Sequence, residues 1–231
     1  SPAAVQKVVT PEILINILMA TPGLEAFSVS ETLESSITAE VLKTLLFTCR
    51  KLKTLDFCGC SSKQFGIALA ELAESLGRVK ITSHFDDEDE EEDVRYSFQT
   101  VNRPALPQLQ RLSLHECHTV SEYSTIITLI AHAPNLTHLD LGGCSISDMT
   151  LEFLANKTNT TSTLKHLLLA KCKNLSSERI ASFVSQCHQL ETLNLYGERN
   201  IATAISEYDL NTILNSPCAK KLHTLDIGSS Q

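Results

Sequence analysis

The chain has 231 residues, 42% of them apolar, which is enough for one large domain or one repeat array. Aromatic residues make up only 5% and Trp is absent, so the core is built from Leu, Ile, Val, Ala and Cys, a composition suited to stacked small units. The formal charge of -8 sits in one run of eight acids, Asp86, Asp87, Glu88, Asp89, Glu90, Glu91, Glu92 and Asp93; the other 19 of the 27 acids balance 19 Lys and Arg, which leaves no basic stripe for nucleic acid.

No run of about 18 apolar residues and no secretory signal is present. Ser1-Pro2 opens the chain without Met, as in a processed chain or a piece of a longer one, and leaves room for an upstream targeting segment.

From the start, Thr10-Pro11-Glu12 reads as an N-cap, an N1 proline and a first-turn acid for a helix through Ile13, Leu14, Ile17 and Leu18. A nine-residue frame, L-x-x-L-x-L-x-x-C, then recurs. A degenerate copy stands at Leu24, Phe27, Val29. Leu42, Leu45, Leu46 and Cys49 form a helical stripe, and Leu52, Leu55, Phe57, Cys60 give the frame in full. Phe65, Leu69, Leu72 and Ala73 make the next stripe, ending at a second degenerate frame, Leu76, Val79, Ile81. The acid run follows, as a loop insert over 84–95. Leu109, Leu112, Leu114, Cys117 restore the frame; Ile126, Ile127 and Ile130 form a stripe; Leu136, Leu139, Leu141, Cys144 and Leu164, Leu167, Leu169, Cys172 repeat it. Ile180, Phe183, Val184 and Cys187 are helical again, and Leu190, Leu193, Leu195 and Leu222, Leu225, Ile227 continue without the Cys.

The frames start at 24, 52, 76, 109, 136, 164, 190 and 222, between 24 and 33 residues apart, with the acid run in the longest gap. Within each frame the apolar period is that of a strand; between frames it is about 3.6. Each unit is therefore a strand followed by a helix, and stacking is required to bury the apolar faces. The ninth-position Cys falls at the turn leaving the strand, where a small side chain with a weak S–H donor fits. Four of the eight Cys hold this register, which points to packed free thiols and a reducing compartment, the cytoplasm or nucleus. Cys58-x-Cys60 has the wrong spacing for a C-x-x-C zinc clip, so no metal site is expected.

Cys49 through Cys60, with the segments HLDLGGCSISDMTLEFLA and HLLLAKCKNLSSERIASFV, resembles the cysteine-containing leucine-rich repeat of F-box proteins, and the likeness extends over nearly the whole chain. It implies an α/β fold, a curved right-handed solenoid of about eight strand–helix units, one domain over 1–231, with parallel strands on the concave face. In that family the repeats select a protein substrate for a cullin-type ubiquitin ligase, and a separate F-box binds a Skp-like adaptor. TPEILINIL, residues 10–18, is reminiscent of an F-box opening, but the first frame starts at Leu24, so an F-box is expected only outside this chain. A non-ligase scaffold and a GTPase-activating repeat protein are the other functions such a framework serves. The chain ends at Ser229-Ser230-Gln231, just after a frame strand, so an edge without a polar cap is expected there.

Strand alternation turns Arg111, His115, His138, Asp140, His166, Leu168, Asn194 and Tyr196 outward on the concave face, a strip with Arg, Tyr and an exposed Leu that is the expected protein-binding surface. His138 and His166, in one slot on adjacent strands with Asp140 nearby, admit a metal or acid–base reading, a binding reading and a plain solvated surface. The acid run reads as a solvated loop or as a docking tail for a basic protein. The four N-x-S/T sites, at Asn135, Asn156, Asn159 and Asn174, read as chance, since Asn135 sits at a crowded helix-to-strand junction. Neither a phosphate loop, a nucleophile elbow nor a metalloprotease helix occurs, and the expectation is a non-enzyme without cofactors.

Overall fold

A three-residue strand with one inward leucine cannot hold itself together; it needs a neighbour on each side and a helix behind. The computed structural model, which describes residues 9–85, 94–98, 101–197 and 205–228, arranges such units in series. The first elements are α1 (Pro11–Ala20), β1 (Ala26–Ser28), a 3-10 turn (Glu31–Ser36), α2 (Ala39–Thr48), β2 (Thr54–Asp56), α3 (Lys63–Leu76), β3 (Ile81–Phe85) and β4 (Val94–Phe98). Next come β5 (Arg111–Ser113), a π turn (Glu122–Ile126), α4 (Ile127–Ala131), β6 (His138–Asp140), α5 (Asp148–Lys157) and α6 (Thr160–Thr163). The last are β7 (His166–Leu168), α7 (Ser177–Ser185), β8 (Thr192–Asn194), α8 (Glu207–Leu214), a 3-10 turn (Pro217–Lys220) and β9 (Thr224–Asp226).

Seven strands form one parallel sheet in the order β1-β2-β5-β6-β7-β8-β9. Their central residues, Phe27, Leu55, Leu112, Leu139, Leu167, Leu193 and Leu225, stand in register; the flanking frame residues of the inner units are buried with them, while Leu24, Leu222, Leu225 and Ile227 in the terminal units are partly buried. Helices are about 10 Å across and strands about 4.8 Å apart, so a stack of such units closes on its strand side. Ser and Thr hydroxyls start the helices: Thr10 caps α1, Thr38 caps α2, Ser62 caps α3, Ser176 caps α7 and Ser206 caps α8.

Between units, each ninth-position thiol donates to the carbonyl of the sixth frame residue one unit back. The Sγ–O distances are 3.6 Å for Cys60 to Val29, 3.1 Å for Cys117 to Phe57, 2.9 Å for Cys144 to Leu114 and 3.2 Å for Cys172 to Leu141. A second ladder of acids joins the helix starts. The backbone N–H of a helix-capping Ser donates to an acid one unit back: Ser62 to Glu34 at 3.0 Å, Ser147 to Glu122 at 2.8 Å and Ser176 to Asp148 at 2.8 Å. Glu122 is buried and also takes the hydroxyls of Ser147 and Thr150, at 3.0 and 2.6 Å.

One expected unit is absent from the sheet. The frame at Leu76 does not supply a solenoid strand: β2 pairs directly with β5, and Ile81 opens β3, which pairs antiparallel with β4. Leu76 ends α3 and Gly77, at φ 88°, turns the chain out of the helix. The slot of this frame would fall on His84, whose imidazole is too large for a place that a thiol fills elsewhere. Among the described residues the solenoid therefore has seven strand units, and β3 and β4 form an antiparallel pair outside the sheet. Phe98 of β4 meets Phe153 of α5 edge to face at 5.0 Å. The buried His132 ties the insert down, taking the Ala105 N–H on Nδ1 at 3.1 Å with Nε2 facing the Gly77 carbonyl at 3.5 Å; burial pushes its pKa down. The acid run 86–93 connects β3 to β4 and lies outside the described residues. Among the described residues no helix is long and apolar enough to cross a membrane.

Candidate functional site

Because alternate strand residues face away from the helices, the sheet presents three rows of side chains across the strands. In the first row Thr54, Arg111, His138, His166, Thr192 and Thr224 stand side by side, and in the second Ser28, Asp56, Ser113, Asp140, Leu168, Asn194 and Asp226. The third row lies just past the strands and holds Cys58, His115, Gly142, Ala170, Tyr196 and Gly228. All eight residues expected on the concave strip are on this face, spread over β5, β6, β7 and β8 and the turns after them.

In the first row the imidazoles of His138 and His166 are stacked, with centroids 3.9 Å apart and planes 21° from parallel. Burial, then the neighbouring His166 and Arg111, push the His138 pKa down to about 4; burial lowers that of His166 too. Two neutral rings can stack where two cations would repel. The Thr137 hydroxyl lies 2.8 Å from His138 Nδ1 and 3.1 Å from the Gln110 carbonyl. With its one proton given to that carbonyl, it accepts from Nδ1–H. Among the described residues no three His, Cys, Asp or Glu side chains gather to hold a metal ion.

The second row carries a repeated device. Asp56, Asp140, Asn194 and Asp226 each accept, on Oδ1, the backbone N–H two residues on, at 3.0, 3.0, 2.8 and 3.0 Å. Asp140 also faces His115 Nδ1 at 3.3 Å. The acids thus hold the strand ends while their carboxyl groups face the open side. A cleft of about 240 Å³ lies over β2, β5 and β6, lined by Asp56, Arg111, Ser113, His138, Asp140 and Leu168.

Size varies along the third row. His115 leans over Gly142 and Tyr196 over Gly228, each so close that a Cβ on the glycine would clash, at 2.5 and 2.8 Å. Between the two rings the row is low, at Ala170.

A cluster not anticipated from the sequence lies at the turn rim. Gly59, Glu116, Gly143 and Lys171, each just before a ladder thiol, have left-handed backbone, with φ of 80, 59, 72 and 60°. The side chains of Glu116 and Lys171 meet at 3.2 Å across Gly143, and His118 Nε2 reaches Glu116 at 2.8 Å. Burial works against the Glu116 carboxylate, but Lys171 and then His118 outweigh it and keep its pKa below the usual value. The signal was local and readable: the residue before each ladder Cys alternates between Gly and a long charged side chain.

Residues 135–156, from β6 into α5, match the family described as Leucine Rich Repeat. The F-box protein YLR352W of Saccharomyces cerevisiae is 28% identical over 152 residues, covering 60% of this chain; the chain spans only 19% of that relative's length. A solved tropomodulin C-terminal domain from Caenorhabditis elegans is 11% identical, with 90% of each chain covered and a TM-score of 0.38. By its repeating frame, parallel sheet and matched repeat, the chain has the leucine-rich-repeat fold of a protein-interaction module and is similar to an F-box protein.

Proposed function

We propose that this chain is the partner-recognising part of an F-box protein, selecting a protein substrate for a cullin-type ubiquitin ligase through the concave face of β5–β8. The observation that carries the binding reading is the convergence of Arg111, His138, Leu168, Asn194 and Tyr196 on one open sheet face, whose polar and aromatic side chains contribute nothing to the core. The ligase part of the reading rests on the similarity to the yeast F-box protein. In this reading the domain is a binding surface rather than a catalyst, it works in the cytoplasm or nucleus where its thiols stay reduced, and a segment outside this chain engages the Skp-like adaptor.

Two experiments test it. Affinity capture of the full-length natural protein should recover a Skp-like adaptor and a cullin together with the substrate; one stoichiometric partner without either would overturn the ligase reading and leave a scaffold. Replacing His138 and Tyr196 together with Ala should abolish substrate capture while the thermal unfolding of the domain stays that of a folded protein. Unchanged capture by the folded double variant would overturn the concave-face assignment.

A further inference from the structure

The charges on the concave face are one-sided. Asp56, Asp140 and Asp226 occupy the second row, and within the described residues none has a Lys or Arg in ion-pair reach. The ionic partners at the sheet's margin are consumed by each other, Lys53 with Glu25 and Lys165 with Glu191, both at 2.8–2.9 Å. Arg111, one row aside, is the single guanidinium on the seven strands of the parallel sheet among the described residues. With the stacked histidines neutral, the face carries three carboxylates against one cation. Leu168 is the one apolar side chain of the second row, with the small Ala170 beside it in the third.

We infer that this face takes an extended segment of a partner protein that lies across the strands, with one apolar side chain on Leu168 and a Lys or Arg on either side of it. The proposal rests on the concave-face reading and names the chemistry of its partner. The register sets the spacing. Ser113, which lines the cleft and stands between Asp56 and Asp140 in the row, is two strands from Leu168, and Asp226 is two strands beyond it on the other side. Two strand intervals are about 9.6 Å, which an extended segment of polyproline II type, rising about 3.1 Å per residue with three residues per turn, covers in three residues while returning its side chain to the same side. The pattern is thus basic, two residues, apolar, two residues, basic. The first cation enters the cleft between Asp56 and Asp140; the second meets Asp226; Arg111 is left to a carbonyl or an acid of the segment. A fully acidic segment is excluded by the same charges.

The fold supplies its own control for the test. Asn194 makes the same backbone cap as Asp140 and Asp226, so Asp→Asn at those positions removes charge and keeps the cap. A display library of random twelve-residue peptides is selected on the natural domain, then measured on the variant carrying Asp56→Asn, Asp140→Asn and Asp226→Asn. The expected result is enrichment of peptides with a basic residue three positions to each side of a Leu, Ile or Phe, binding about tenfold or more weaker to the triple variant, and binding that weakens with salt. Leu168→Ser should weaken the same peptides. Enriched peptides that lose binding on His138→Ala with Tyr196→Ala but show no basic pattern would overturn this inference and leave the concave-face reading standing. Peptides indifferent to every concave substitution would overturn both. A selection that enriches nothing counts against the inference, since a short segment carries all that the proposed surface requires.

Discussion

The junction between β2 and β5 and the junction between β6 and β7 differ greatly in sequence and hardly at all in geometry. Paired residues are 57 positions apart in the first, Thr54 with Arg111, and 28 apart in the second, His138 with His166. Yet both are three-residue parallel pairings, and the thiol that crosses them reaches its carbonyl at 3.1 Å in one and 3.2 Å in the other. The described part of the added chain lies outside the sheet, in a longer helix and a pair of antiparallel strands. The strand and its exit turn are thus the fixed part of the unit, and the return path is the free part.

That comparison can be broken at several levels. Leu112→Ala at the long junction and Leu139→Ala at the short one should each cost about 3 kcal/mol in urea unfolding, since both leucines are buried between two neighbouring strands. A clearly smaller loss for Leu112→Ala would mean that the insert loosens its junction. The acid ladder comes next. Glu122→Ala leaves an N–H and two hydroxyls without their acceptor and should cost about 2–3 kcal/mol, against about 1 kcal/mol for Glu34→Ala, which leaves one N–H near the surface. Cys117→Ala and Cys172→Ala should each lose about 1 kcal/mol, and the two losses should match.

Two smaller effects sharpen the picture. An unfolded His138 takes up a proton near its ordinary pKa of 6.5, whereas the folded residue resists until about 4. Stability from this group is therefore complete above pH 6.5 and declines as the pH falls toward 4. His138→Ala should flatten that part of the pH–stability curve; an unchanged slope would mean the ring is not shielded. Last, replacing residues 86–93 by Asn-Gly should raise stability by only about 1 kcal/mol, because loop closure gains about 0.6 kcal/mol for each halving of the loop.

Much of this was legible in the sequence because the repeat states its register many times over. Alternation within each frame was enough to put His138 and His166 side by side and Tyr196 on the same face. The frame at Leu76 misled because three apolar residues at the right spacing are also what a helix end followed by a hairpin strand provides. His84 at the small-residue position was the contrary sign. The acid ladder could not be read, since Glu122 looks like an ordinary first-turn acid until the next unit is laid beside it. Nor could the caps made by Asp56, Asp140, Asn194 and Asp226, which join a strand end to its own turn through a bend that only the folded chain defines.

The thiol ladder has a practical meaning of its own. Burial pushes the pKa of Cys60, Cys117, Cys144 and Cys172 upward, to about 12 for Cys60 and Cys172, so none is a nucleophile while its unit is closed. An alkylating reagent reaches each one only when that layer opens. The protein therefore carries a chemical clock in four successive layers. Pulsed alkylation followed by peptide mass analysis would time the opening of each layer separately and reveal from which end the stack frays.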